Sequence, residues 1–371
     1  MLTRNGYKIP KDEDTQILRK QLTVKPYVPS VFVRPQYVKS YKVFHETETF
    51  MYLPKQFGIA RYGLPSTCTF SVANGRPDHW EFKGSLRGGQ HVVVDTYLKP
   101  EPHDGMICLQ TGGGKTVCGL YIASELKVKT LIIVHNTFLK DQWEDRIKAF
   151  LPNARIGRIQ GETTDVSDRD IVIAMIQSIS MKEYPKEVFA GFGLTIVDEC
   201  HHIASEVFVQ AFPKITSKHM LGLSATPDRK DGLMYVIEWF LGPILFKSES
   251  ADKEDPAIRV EVFNHDPDNT DFNTVVYNSQ GVMSTVHMIN KLTDFKPRTK
   301  MIASILEDIE PNRQTLVLSD RVQHCKDILE ALSPAVRETA CILAQTVPAP
   351  KRAEWCATKK ILIATYSMCK E

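Results

Sequence analysis

Short apolar runs recur along the chain from about residue 84: GMICLQ (105–110), TLIIVHN (130–136), DIVIAMI (170–176), GLTIVDE (193–199) and HMLGLSAT (219–226). Unbroken runs of this length are what strands buried on both faces require, and the segments between them carry apolar residues at helical spacing. Strands alternating with helices predict an α/β fold with a parallel sheet covered on both sides. A charged, proline-ended stretch, Glu249–Pro256, interrupts the pattern and reads as a linker. A second alternating region follows: AIRVEVF (257–263), QTLVLSD (314–320), a helix over 321–332 and KKILIATY (359–366). Residues 1–80 have another texture. Period-2 runs, Tyr37–Phe44 and Thr47–Leu53, are punctuated by Pro26, Pro29, Pro35 and Pro54, which predicts a small β-rich module. The expected organisation is therefore 1–80, 81–248, a linker over 249–256, and 257–371.

Charge adds one asymmetry. The chain carries a net +2, yet residues 1–100 hold 15 Lys and Arg against 8 Asp and Glu. Between Phe32 and Tyr62, aromatics interleave with Arg34, Lys39, Lys42, Lys55 and Arg61. Two arrangements satisfy that pattern: a stacking-plus-phosphate surface for nucleic acid, or a small aromatic core with basic residues outside. The eight cysteines are scattered, with no C-x-x-C pair, so neither a disulfide framework nor a zinc site is expected and a reducing, intracellular compartment is. No apolar run approaches the roughly 20 residues that span a bilayer, and the first residues lack the apolar region of a signal peptide.

The chemistry concentrates at strand ends. ICLQTGGGKTVCGLY (107–121) runs from a buried strand through Thr111, Gly112, Gly113 and Gly114 into a helix opening on Lys115 and Thr116. Consecutive glycines let backbone N–H groups turn around a phosphate, and the helix N-terminus adds its positive dipole end. Lys115 suits the β/γ-phosphates of a nucleotide and the Thr116 hydroxyl suits Mg²⁺. Leu109 stands where the common pattern has a first glycine. VDECHH (197–202) ends another strand: Asp198 suits Mg²⁺, and Glu199 suits orienting the water that attacks a γ-phosphate. In a doubly wound sheet both motifs meet at the carboxyl ends of the strands. His201-His202 has no ligand pair at zinc spacing. GLSATPDRKDG (222–232) leaves a third strand end, where Ser224 and Thr226 either bond to the acidic motif and report phosphate state or simply open a turn at Pro227-Asp228.

TGGGKT, DECH and SAT, in this order, resemble motifs I, II and III of superfamily 2 helicases and translocases. That resemblance implies two RecA-like P-loop NTPase lobes with ATP and Mg²⁺ as cofactors, preceded by the β-rich module. It makes Lys115, Asp198 and Glu199 catalytic, and places a non-glycine residue at Leu109 within the family's range. LRGGQ (86–90) resembles the adenine-reading glutamine motif, giving Gln90 and Arg87 to the nucleotide. IVHNT (133–137) with Gln142-Trp143 resembles motif Ia, and AMIQS (174–178) the motif after it. On that basis Asn136, Thr137, Gln177 and Ser178 contact a nucleic-acid backbone. LVLSD (316–320) resembles motif IV and ILIAT (361–365) the start of motif V, adding Ser319 and Thr365. His201, Ser224, Ala225, Thr226 and Arg229 are implied to couple nucleotide state to movement.

SATPxRxDG looks most like the XPB-type branch, with Arg229-Lys230-Asp231 at its Arg-Glu-Asp element, and similar texture occurs in helicases of large DNA viruses related to the poxvirus transcript-release helicase. The expected partner is DNA, duplex or forked, with RNA less favoured and no membrane. The expected role lies in transcription or repair, in the nucleus or, for a virus, in host cytoplasm or virion. The family continues past motif V to an arginine motif that acts on the γ-phosphate. The second lobe is thus expected to be incomplete, the chain to be part of a longer helicase, and residues 1–371 alone to hydrolyse ATP poorly. Two other functions fit these motifs: a duplex translocase that remodels without unwinding, and a binding module whose affinity nucleotide tunes.

Overall fold

The computed structural model describes residues 1–28, 38–70, 72–74, 77–101, 103–202, 209–226, 229–248, 261–263, 265, 268–279, 281–309, 313–344 and 346–369. The expected linker, most of the expected 257–263 strand and the Phe32–Arg34 part of the aromatic-basic run lie outside these residues. The chain divides into a larger compact unit, Met1–Val28 with Val38–Asp255, and a smaller one within Pro256–Glu371.

The larger unit begins with the β-rich region. β1 (Leu2–Thr3), β2 (Gly6–Pro10), β5 (His45–Glu46) and β6 (Phe50–Leu53) form an antiparallel sheet in the order β1-β2-β6-β5. β3 (Thr23–Val24) pairs with β4 (Tyr41–Lys42), and helices α1 (Thr15–Gln21) and α2 (Lys55–Tyr62) flank them. The main sheet consists of β7 (Gly105–Cys108), β8 (Thr130–Val134), β9 (Ile156–Gln160), β10 (Thr163–Asp165), β11 (Ile171–Met175), β12 (Leu194–Val197), β13 (His219–Ser224) and β14 (Ile244–Lys247). Its order is β10-β9-β11-β8-β12-β13-β7-β14, parallel except for the β9–β10 hairpin.

Every residue of β7, β8 and β12 is buried, as the unbroken apolar runs require. Successive residues face opposite sides. Ile132, Val134, Ile171 and Ile173 meet α3 (Gln90–Leu98), α4 (Lys115–Leu126) and α5 (Thr137–Phe150) through Tyr97, Leu120, Trp143 and Ile147. Leu131, Ile133, Val172 and Ala174 belong to the core on the other side, with Ile176, Phe212 and Phe240 and with Tyr7, Leu18 and Met51 from the β-rich region.

The described residues of the first 80 fall in the larger unit together with the main sheet. Their apolar face closes the second side of the main sheet, and a buried ion pair anchors them. Lys55 Nζ lies 2.5 Å from Asp104 Oδ2, the two side chains only 4% and 8% exposed. Lys55 also donates to the Ser217 and Lys218 carbonyls at 3.1 and 2.6 Å, while Gln56 Nε2 and the Met220 amide donate to the Asp104 carboxylate. Asp104 needs all of these donors, because burial pushes its carboxyl pKa up.

In the smaller unit, β15 (Thr315–Ser319), β16 (Ala340–Leu343) and β17 (Ile361–Thr365) are parallel in the order β15-β17-β16. Helices Lys296–Asp308 and Val322–Ala331 supply Ala303, Leu306, Cys325 and Ile328 to its core around Ile363. Residues 261–263 take no regular structure, in contrast to the strand expected there.

Removing one partner of a buried ion pair strands the other charge in the interior, at a cost of about 3–5 kcal/mol. Lys55→Met is expected to destabilise the larger unit by that order in urea unfolding. A loss below about 1 kcal/mol would show that the pair does not anchor the β-rich region.

Candidate functional site

The candidate site is assembled at the carboxyl ends of β7, β12 and β13. Leu109 continues β7: its amide donates to the Ser224 carbonyl at 3.0 Å and its side chain is buried in the core under α3 and α4. That is the physical use of a leucine at this position. The chain then turns, with Gly113 N bonded to Gln110 O at 3.0 Å and with Gly112 and Gly114 at φ +82° and +86°. Only glycine takes this left-handed backbone without strain. Gly114 caps α4, and a Cβ there would stand 2.2 Å from Gln90 Nε2. Gln90, the first residue of α3, spans two loops: its Nε2 donates to Gly113 O at 3.1 Å, and its Oε1 accepts from Arg87 N at 2.8 Å. The glutamine and glycine motifs are therefore one unit. Arg87 and Thr111 are exposed, and Thr116 is half-buried in the first turn of α4.

Lys115 Nζ lies 2.8 Å from Glu199 Oε1. Glu199 follows β12 with φ +46°, left-handed backbone that a non-glycine residue seldom adopts, and such strain gathers at functional sites. Asp198, 6% exposed, accepts from Trp143 Nε1 at 2.8 Å and from the Glu199 amide at 2.9 Å. Environment separates the two acids. Burial, with the neighbouring Glu199 charge, pushes Asp198 up despite the Trp143 bond. Burial acts on Glu199 in the same direction, but the His201 and Lys115 hydrogen bonds outweigh it and bring its pKa down to about 2.

His201 joins the acidic strand end to the next one: its Nδ1 lies 3.2 Å from Glu199 Oε2 and 2.8 Å from the buried Ser224 Oγ. The Ala225 amide donates to Glu199 Oε2 at 3.5 Å, whereas Thr226 is exposed. Arg229 donates to the His201 carbonyl through Nη1 and to Asp231 through Nε at 2.9 Å. The structure thus brings together Arg87, Gln90, the 111–116 loop, Asp198, Glu199, His201, Ser224, Ala225 and Arg229.

The residues that the resemblance gives to a nucleic-acid backbone divide differently. Asn136 Oδ1 caps α5 by accepting from Leu139 N at 2.8 Å, which leaves Thr137 exposed on the first turn. Gln177 Nε2 donates to His135 O at 2.7 Å, and Ser178 Oγ accepts from Gly161 N at 3.0 Å, so these side chains brace the ends of β8, β9 and β11. Ser319 and Thr365 belong to the smaller unit. Ser319 is 5% exposed with its hydroxyl 2.8 Å from His324 Nδ1, and Thr365 Oγ1 lies 3.0 Å from Ser367 Oγ. Three supporting residues were given no role of their own by the sequence: Trp143, which stood only beside Gln142 in the motif Ia resemblance, Asp231, which stood only within Arg229-Lys230-Asp231, and Ser248, whose Oγ accepts from Gln110 N at 3.1 Å. A tryptophan on an apolar helix face has one N–H to satisfy, which is the signal that points to Trp143.

Residues 83–229, which hold these groups from Arg87 to Arg229, match the family described as type III restriction enzyme, res subunit. The chain is 30% identical over 383 residues to a protein of Acanthamoeba polyphaga mimivirus, provisionally named an ATP-dependent RNA helicase, and covers 73% of it. The alignment takes in 100% of this chain. The chain belongs to the superfamily 2 helicases. This helicase is also similar to a protein of Invertebrate iridescent virus 6, provisionally named a helicase: 28% over 251 residues, 66% of this chain and 54% of that one. With the DNA 3'-5' translocase XPB2 of Sulfurisphaera tokodaii it shares 36% over 165 residues, 44% of its own length and 36% of the relative's.

Two outcomes follow for this helicase. Gly114→Ala places a methyl group on Gln90 in a backbone conformation alanine resists, so binding of a fluorescent ATP analogue is expected to weaken by an order of magnitude or more; unchanged affinity would show that the loop is not the nucleotide site. Glu199 has its pKa depressed, so its contribution to stability is present above the unfolded value of about 4.3 and is lost as pH falls towards about 2. The stability gap between wild type and Glu199→Gln is expected to shrink over that window in pH-dependent urea titrations.

Proposed function

We propose that this helicase hydrolyses ATP at the Gln90–loop–Asp198–Glu199 site and uses the cycle to move along and separate DNA. The observation that carries this reading is the continuous contact from Lys115 through Glu199 and His201 to Ser224, which ties the phosphate loop, the acidic strand end and the following strand end together.

The residues fit ATP with Mg²⁺. The position a Cβ would take at Gly112 meets nothing within 4 Å, leaving an open face on the loop, and Asp198 presents a buried carboxylate at the end of β12. Mg²⁺, when bound, would supply charge stabilisation for the transferring phosphoryl group, and Thr116 and Asp198 would hold it. Lys115 exchanges its bond to Glu199 for the phosphates, and the freed Glu199 carboxylate accepts a bond from the attacking water and orients it in line. Gln90, with Arg87 beside it, turns its amide from the Gly113 carbonyl to the adenine edge. His201, Ser224, Ala225, Thr226 and Arg229 relay the change, Arg229 by holding the His201 carbonyl. Asn136, Thr137, Gln177 and Ser178 line the nucleic-acid path on the larger unit; within the smaller unit Thr365 is open to a contact of the same kind, whereas Ser319, buried against His324, is not. Such contacts are to phosphates and hence independent of sequence. Transcription or repair is the proposed setting.

Lys115→Ala and Glu199→Gln in the natural protein are expected to lower nucleic-acid-stimulated ATP hydrolysis by about 10²-fold or more, with Glu199→Gln keeping ATP affinity. Wild-type rates in either variant would overturn the assigned roles. Forked DNA and forked RNA, beside a triplex-displacement substrate, test the finer statement. Unwinding of RNA alone would transfer to this chain what the mimivirus relative's name says, and triplex displacement without unwinding would make it a duplex translocase.

A further inference from the structure

A cleft of about 760 Å³ lies within the larger unit, between the β-rich region and the second side of the main sheet, well inside the roughly 300–1,000 Å³ of ligand-binding cavities. Its lining holds five basic residues and one acidic residue, Glu183. Some of that charge is structural: Lys55 is locked on Asp104, and Lys214 donates to the Ile179 and Lys182 carbonyls and to Glu183. Lys42 and Lys186 are different. Both are exposed and, among the described residues, neither has a carboxylate partner; they come from the β-rich region and from the main-sheet side respectively. Aromatic rings accompany them. Lys42 Nζ stands 5.7 Å from the Phe44 ring centroid, Tyr52 packs at 6.0 Å from His45, and half-buried Tyr184 lines the opposite wall. One lining residue touches the segment assigned above to the nucleic-acid path: Tyr184 OH donates to the Ser178 carbonyl at 3.1 Å.

Resting on the nucleic-acid reading of Gln177 and Ser178, we propose that this cleft is a second binding site for single-stranded nucleic acid, taking the strand that leaves those residues. Ammonium groups that have no carboxylate partner among the described residues meet phosphates from both walls, and the rings lining the cleft meet unstacked bases, a combination that a single strand satisfies and a stacked duplex does not. The β-rich region is thereby a functional wall as well as a cover for the sheet.

The test uses the full chain without nucleotide, so that it is independent of ATP hydrolysis. Binding of a labelled oligothymidylate of about 12 nucleotides is followed by fluorescence anisotropy over a salt series. Lys42→Glu with Lys186→Glu, both exposed and remote from the ATP site, is expected to weaken binding about tenfold or more and to flatten the salt dependence by about 0.7 per lost phosphate contact. Tyr52→Ala is expected to weaken binding at unchanged salt slope and to restore the fluorescence of a 2-aminopurine strand quenched by wild type. Binding of the fluorescent ATP analogue stays at wild-type level in all of them. Unchanged oligonucleotide affinity and slope in the double variant would overturn the cleft while leaving the ATPase reading intact. Equal competition by a duplex of the same length, or by polyglutamate, would overturn it too, the first in favour of duplex binding and the second in favour of an acidic protein partner.

Discussion

Parallel registry is the constraint on which the site depends. Val197 lies opposite Gly222, Ser224 opposite Cys108, and Val134 opposite Met175, so five strands end at nearly one level. The residues just past those ends are the phosphate loop, Asp198-Glu199, Ala225, Asn136-Thr137 and Gln177-Ser178. A slip of one residue in β12 or β13 would send each side chain to the opposite face, into a core packed around a different one. Packing of the core and alignment of the chemistry are therefore one requirement.

On that rim the two acids are placed to do different things. Asp198 is sunk in the core and fixed by the indole of Trp143, while Glu199 stands in left-handed backbone where lysine and histidine reach it from two sides. Adjacent carboxylates in unlike environments take unlike pKa values, which is how neighbouring groups of one chemical type come to have separate roles. The same histidine that stabilises Glu199 is bonded to Ser224, which joins the ends of β12 and β13.

The β-rich region contributes through burial. Its Tyr7 packs so closely on α2 that a Cβ at Gly58 would lie 2.3 Å from the tyrosine, and Phe57 meets Trp239 edge-on at 5.0 Å. Arg4 donates to the Phe192 and Thr216 carbonyls near the amino ends of β12 and β13. The cleft lined by Lys42, Tyr52, Tyr184 and Lys186 is formed by this docking and belongs to neither side alone.

Much of this was legible along the chain. Unbroken apolar runs placed β7, β8, β11, β12 and β13, because a buried strand shows its environment residue by residue. The glycine loop and Asp198-Glu199 were legible because their chemistry needs those residue types in local order. Other features were decided only by tertiary contact. Leu109 departs from the usual loop pattern on paper and proves to be a core residue; Ser319, which the motif IV resemblance gives to a nucleic-acid backbone, is buried against His324. Interleaved aromatics and lysines in the first 80 residues fit either a core or a binding surface, since period-2 patterning marks which residues share a face and says nothing of what that face meets. Likewise Trp143 on Asp198, Gln90 on Gly113 and Lys55 on Asp104 join residues far apart in sequence. Sequence determines the local elements and the chemistry they carry; which buried donor finds which buried acceptor is set when those elements pack, because each must find a partner in the space the others leave.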